Sequence, residues 1–102
     1  MSRIQKKKSQ KSGKTTYLLD LFVSGCTPRS RIVIENVKRI CEQNLKGRYK
    51  LEVIDIYKEP ERVRREQILA SPTLIKKLPL PVVKIIGDMS RPDRVLIGLD
   101  IK

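Results

Sequence analysis

The stretch Ile68 to Ile101, ILASPTLIKKLPLPVVKIIGDMSRPDRVLIGLDI, decides the fold. Pro72, Pro79 and Pro81 punctuate its apolar runs. Ser71-Pro72-Thr73-Leu74 reads as a turn out of a helix into extended chain, because the residue before a proline is pushed out of the helical region. Thr73 to Leu78 and Val82 to Ile86 read as two strands. Pro79-Leu80-Pro81 must lie in their connection, since proline cannot donate to a sheet ladder. A tight turn is expected at Gly87-Asp88. Ser90-Arg91-Pro92-Asp93 then reads as a helix start, with a serine cap, an early proline and an acid. The final run, Val95 to Ile101, sends two signals. Its three β-branched residues suit a strand, whereas the start signals before it call for a helix. Gly98 costs a helix about 1 kcal/mol against alanine. Gly98→Ala is therefore expected to move the run toward helix.

Upstream, the pattern is strand, helix, strand, helix. Thr16 to Ser24, TYLLDLFVS, is apolar on both faces except at Asp20, which suits a central, covered strand. A helix is expected from about Pro28 to Asn44, capped by Thr27, with Pro28 at its first position. Val33, Val37, Ile40, Cys41 and Leu45 make its apolar stripe, and Gly47 serves as its terminator. Tyr49 to Tyr57 is the second strand, parallel to the first in a right-handed βαβ unit. Glu59-Pro60-Glu61 opens a second helix that reaches about Ala70 and buries Val63, Ile68 and Leu69. Its face of Arg62, Arg64, Arg65 and Glu66 reads as solvated.

The chain has 102 residues, enough for one small domain, which association with copies of itself would help to stabilise. A homodimer or homotetramer is expected. The formal net charge is +12, and six of the bases, with no acid among them, fall in residues 1–14. Residues 1–15 are expected to be a flexible basic arm and residues 16–102 the domain. Such an excess favours an acidic partner. It is not accompanied by any base-reading or stacking element, so no specific nucleic-acid partner is expected. No run approaches membrane-spanning length. The basic start lacks the apolar run that a signal peptide needs. Histidine is absent, no metal-ligand spacing occurs, and the two cysteines sit fifteen apart. These features predict a cytoplasmic protein without metal or cofactor.

The order of elements resembles the thioredoxin-like fold, with Ser71-Pro72-Thr73-Leu74 as its proline element. The redox-motif position would be Cys26-Thr27-Pro28-Arg29, so Arg29 stands where the second cysteine would be. The resemblance is closer to one family. Phe22-Val23-Ser24-Gly25, Thr27-Pro28, Val53-Ile54-Asp55, Ile68-Leu69-Ala70, Ser71-Pro72-Thr73-Leu74, Ile85-Ile86-Gly87-Asp88 and Val95-Leu96-Ile97-Gly98-Leu99-Asp100 are similar to the circadian clock family KaiB, from about Tyr17 to Asp100.

That resemblance implies an α/β, thioredoxin-like fold of the KaiB type and a non-enzymatic regulator that docks on a KaiC-like ATPase. Where a full clock is present, it also implies capture of KaiA and competition with a sensor kinase. It further implies that the C-terminal half can take either of two topologies, with Pro72, Gly98 and Asp100 at the controlling positions. The partner-contact candidates, by matching position, are Arg29, Tyr49, Lys76 and Lys84. The chain departs from clock members at Glu52, where they carry a base, at Val83-Lys84, where they carry paired arginines, and at Cys26, where they carry asparagine. Those departures set stress adaptation or signalling beside circadian timing. The alternative is a monothiol redox protein using Cys26, which lies just before a helix start and near Arg29, features that favour thiolate.

Overall fold

The computed structural model describes residues 16–87 and 89–101. The basic arm of residues 1–15, Asp88 of the expected turn, and Lys102 lie outside the described residues. The elements are β1 (Tyr17–Val23), α1 (Pro28–Asn44), β2 (Tyr49–Asp55), α2 (Pro60–Arg65), β3 (Thr73–Leu78), β4 (Val83–Ile86) and α3 (Pro92–Leu99). The sheet order is β2-β1-β3-β4. β2 runs parallel to β1, with Tyr17 opposite Tyr49, and β3 runs antiparallel to both β1 and β4. The apolar β1 is thus an interior strand, as its two-sided hydrophobicity requires.

Successive strand residues face opposite sides, and the two faces bury different clusters. Tyr17, Leu19, Leu21, Val23 and Leu74 pack with the α1 stripe of Val33, Val37, Ile40, Cys41 and Leu45, and with Val95 and Leu99 of α3. Phe22, Ile54 and Ile75 face the other way and pack with Val63 and Ile68. Pro79-Leu80-Pro81 occupies the β3–β4 connection, as expected of residues that cannot donate to a ladder. β2 stops at Asp55 because the Asp55 carboxylate accepts from Tyr57 N–H at 2.9 Å, which turns the chain.

Three expectations are corrected. α2 ends at Arg65, not near Ala70. Gln67 takes the left-handed conformation at φ 56°. Gln67 N–H donates to the Arg64 carbonyl and Ile68 N–H to the Val63 carbonyl, the pair of bonds that closes a helix without continuing it. Leu69 is consequently thrown outward, 94% exposed. The cap of α3 is Arg91, not Ser90. Pro92 at the first helical position holds Arg91 extended, at φ −107°. Finally, Arg62 does not face solvent. It lies against the sheet, as described below.

The final run is a helix, since Val95 and Leu99 reach the core on one face. Asp100 ends it at φ 58°, with Ile101 N–H donating to the Leu96 carbonyl. Gly98 lies over β4. A Cβ there would stand 2.8 Å from Ile85 Cδ1 and 3.3 Å from Ile85 Cγ1. Cδ1 is the end of a flexible chain and can turn aside at modest cost. Gly98→Ala is therefore expected to stabilise this helix by less than the full ~1 kcal/mol of propensity. In an Ile85→Val background, which lacks the closest atom but keeps Cγ1, most of the gain should return. Thermal melts of the four chains test this coupling. Equal shifts in both backgrounds would show that Ile85 offers no resistance.

Candidate functional site

The end of the sheet where β1 leaves and β3 begins is built from turn residues. Gly25 adopts φ +73°, with the Tyr57 ring 3.8 Å from where a Cβ would lie. Thr27 caps α1, its Oγ1 accepting from Ser30 N–H at 3.0 Å. A chain of hydroxyls follows. Thr27 Oγ1 donates to Ser30 Oγ at 3.1 Å, and Ser30 Oγ to the Ser24 carbonyl at 3.4 Å. Ser24 Oγ donates to Ser71 Oγ at 2.8 Å, tying together residues 47 positions apart. The Ser71-Pro72 bond is cis, and Gly87 N–H donates to the Pro72 carbonyl at 3.2 Å. These residues line an open cleft of about 610 Å³, with Arg29 and Tyr57 on its walls.

The chemistry of this cleft is hydrogen bonding. Its hydroxyls have no carboxylate or imidazole among the described lining residues to act as a base. Cys26 is exposed and precedes the cap. Cys41 lies on the inner face of α1, and burial first, then the Glu42 charge, push its thiol up to about 11. A native-state thiol reagent is expected to label one cysteine per chain, Cys26. Cys41 should react only on unfolding or near its raised pKa. Peptide mapping after alkylation checks this, and prompt labelling of Cys41 at neutral pH would contradict its burial.

The seven residues singled out in the sequence do not converge. Arg29 and Pro72 meet at the cleft. Tyr49 begins β2, where its hydroxyl donates to Glu42 Oε2 at 2.6 Å and its phenol is pushed up to about 12, chiefly by that bond. Lys84 lies on the edge strand β4, and its Nζ donates to the Glu66 carbonyl at 2.7 Å, so it ties down the end of α2. Lys76, expected at the surface, is 1% exposed. Gly98 lies in the last turn of α3, and Asp100 caps it. The four contact candidates therefore do not form one surface.

Two features escaped the sequence reading. One is the hydroxyl chain, for which the serines beside two turns, Ser24 and Ser71, were the signal. The other is an ion network under α2. Asp20 pairs with Arg62 at 3.2 Å and Lys77 at 3.1 Å, Arg62 reaches Glu52 at 2.8 Å, and Lys77 reaches Glu66 at 2.6 Å. Its signal was Asp20, the one charge in an apolar strand. Among the described residues there is no cluster suited to a metal ion, and no helix is long and apolar enough to cross a membrane.

Comparison with known proteins adds one family model, two relatives and two solved structures. The family model described as the KaiB domain matches residues 20–101. A circadian clock oscillator protein KaiB from Nostoc punctiforme is 52% identical over 88 residues, covering 86% of this chain and 85% of that protein. The circadian clock protein KaiB3 of Synechocystis is 46% identical over 84 residues, covering 82% of each. Among solved structures, the N-terminal domain of Synechococcus elongatus SasA superposes with a TM-score of 0.71 at 22% identity, covering 95% of both chains. Mitochondrial thioredoxin 3 of Saccharomyces cerevisiae superposes at 0.66 with 15% identity, covering 85% of this chain and 79% of that one. The fold is α/β and thioredoxin-like.

Proposed function

The chain belongs to the KaiB family, and from that premise we propose that it is a non-enzymatic regulator that docks on a KaiC-like ATPase. The observation that carries this reading is the lack of a second thiol at the motif, where Arg29, and not another cysteine, follows Cys26. Where a redox protein of this fold would hold a thiol pair facing the proline turn, this cleft holds Ser24, Thr27, Ser30 and Ser71. Arg29 stands where the motif's second cysteine would be, and Cys41 is buried with its thiol raised. The scaffold keeps its shape, offering hydrogen-bond donors and acceptors without an electron-transferring pair.

The regulatory role is of the KaiB type, in circadian timing or in stress adaptation and signalling. In the family's pattern, a second topology of the C-terminal half would set how fast the docking-competent state appears. Gly98 against Ile85, and Asp100 in a left-handed cap, are the places where substitution would tilt that balance. Association as homodimer or homotetramer, a cytoplasmic location, and KaiA or sensor-kinase competition in cells with a full clock belong to the same proposal.

The test is light scattering or pull-down of the chain with a cognate KaiC-type ATPase and ATP. Slow association, over hours, is expected if a change of topology gates docking. No association in either nucleotide state would overturn the reading. A Cys26→Ser chain should dock unchanged, whereas loss of docking would favour the monothiol alternative.

A further inference from the structure

We propose that the open edge of β4 pairs with β4 of a second copy of this chain, so that the two sheets join into one with Ile85 facing its own counterpart. This deepens the self-association expected above by giving it a surface, and rests on it. β4 is the last strand in the order β2-β1-β3-β4, so among the described residues one side of it has no ladder partner. Gly87 N–H donates to the Pro72 carbonyl, which fixes the phase of the β3–β4 ladder. Bonded pairs alternate along an antiparallel ladder. Gly87, Ile85 and Val83 therefore turn their main-chain groups toward β3, and Ile86 and Lys84 turn theirs to the open side. Neither of those two makes a main-chain bond beyond the sheet among the described residues.

Open sheet edges are commonly guarded by exposed charge or by proline. The edge at β2 is guarded in this way, by the exposed Lys50 and Glu52. Pro79 and Pro81 guard only the connection before β4. Within β4 the one charge, Lys84, is drawn aside, its Nζ donating to the Glu66 carbonyl at 2.7 Å. Ile86, on the same face by strand alternation, is 62% exposed. Beside them lies a hollow of about 570 Å³, which Lys84 lines together with the apolar Val63, Ile68 and Leu69. The edge is thus left with free ladder groups and an apolar flank.

The occupant is a second copy because the phase of this edge is self-complementary. A two-fold axis perpendicular to the sheet matches each face with itself. Pairing Lys84 with Ile86 of the second copy, and Ile86 with its Lys84, sets outward groups against outward groups. Ile85 then opposes Ile85 in the closer, unbonded pair between them, and aliphatic pairs of this kind stabilise a sheet. Each Ile86 lies across from a Lys84, and so at the mouth of the hollow that this lysine lines. Sliding the pair toward Val82 would set Lys84 against Lys84, which is unfavourable. Sliding it the other way runs past the end of β4 at Ile86. The net charge of +12 on each copy opposes the contact. The contact is also small, roughly 1,200 Å² or less in total, so a dissociation constant on the order of 100 μM is expected.

The experiment follows the mass of the full chain by sedimentation, from about 10 μM to about 1 mM at about 0.15 M salt, where it is expected to rise toward a dimer. Raising the salt to about 0.5 M should strengthen the association, because it screens the charge on each copy. In the ¹⁵N-labelled chain, amide shifts with concentration are expected at Lys84, Ile85 and Ile86. An Ile86→Lys chain with native spectral dispersion should associate at least about tenfold more weakly. An Ile86→Glu chain should associate at least about tenfold more tightly than Ile86→Lys, since its carboxylate faces Lys84. The same two changes at Ile32, exposed on α1, should differ from each other by less than about twofold. An oligomer indifferent to Ile86, or weakened equally by lysine and glutamate there, would overturn the β4 contact and leave self-association standing. A monomer at every concentration would remove both.

Discussion

Replacing Arg62 by methionine is expected to cost this fold about 2–3 kcal/mol, a fall in Tm on the order of 10–20 °C. The guanidinium is the centre of the network that holds α2 on the sheet. It joins Asp20 to Glu52 and reaches Glu59 at 3.6 Å. Its side chain is 18% exposed and that of Asp20 10%, so the pair is partly desolvated and its loss leaves the Asp20 carboxylate to Lys77 alone. It is not so deeply buried as to reach the 3–5 kcal/mol of a fully enclosed pair. Methionine keeps the apolar stem, so the loss reports charge and hydrogen bonding. Adding Asp20→Asn should recover little of it, because Asp20 keeps its pair with Lys77 in the single variant and the second change removes that pair as well. An unchanged Tm in the single variant would show the network to be idle.

The same network sets a pH window. The hydrogen bond from Arg62, foremost, holds the Glu52 carboxyl below its ordinary value. Its contribution is therefore present above about pH 4.3, the unfolded value, and is lost as pH falls through the folded one. The Glu66 bond, foremost, holds Lys77 above its ordinary value. That contribution is present below about pH 10.4 and is lost as pH rises through the raised value. In the Arg62→Met chain the acid limb of Tm against pH should flatten, while the alkaline limb, which rests on Lys77 and Glu66, should remain.

How far the sequence reached differs from element to element, and the reasons are physical. α1 was legible to the residue, from Pro28 to Asn44, because its cap, its proline and its apolar stripe are all local. α2 was read too long because Gln67 ends it in a left-handed conformation that most sequences mark with glycine. The last helix was ambiguous because local propensity cannot see that Val95 and Leu99 are buried against α1 and the sheet, or that Gly98 lies on Ile85. Pro72 and Arg29 were visible as site residues through motif position. The Ser24–Ser71 bond was not, since it depends on two turns meeting across 47 residues. Asp20 was noticed as an exception in β1, but its partners lie on α2 and β3.

Lys76 marks the sharpest difference between motif position and environment, and Lys76→Met is expected to stabilise this fold by about 1–3 kcal/mol, raising Tm on the order of 5–15 °C. As a position matched to partner-contact residues, it reads as a surface cation. In the structure it lies opposite Leu19 in the β1–β3 ladder and is 1% exposed. Strand alternation puts it on the same face as Leu74, the face that α1 and α3 cover. Among the described residues its ammonium has no ion pair or hydrogen bond, unlike that of its neighbour Lys77. A charge withdrawn from water without a partner costs free energy that a side chain of similar length and no charge does not. Methionine fits that requirement and adapts to irregular space. If the thioredoxin-like state is the one that docks, the substitution should also speed association with a KaiC-type ATPase, by raising the population of that state. A lower or unchanged Tm would mean that the Lys76 ammonium is already compensated, and the expected gain in association rate would fall with it.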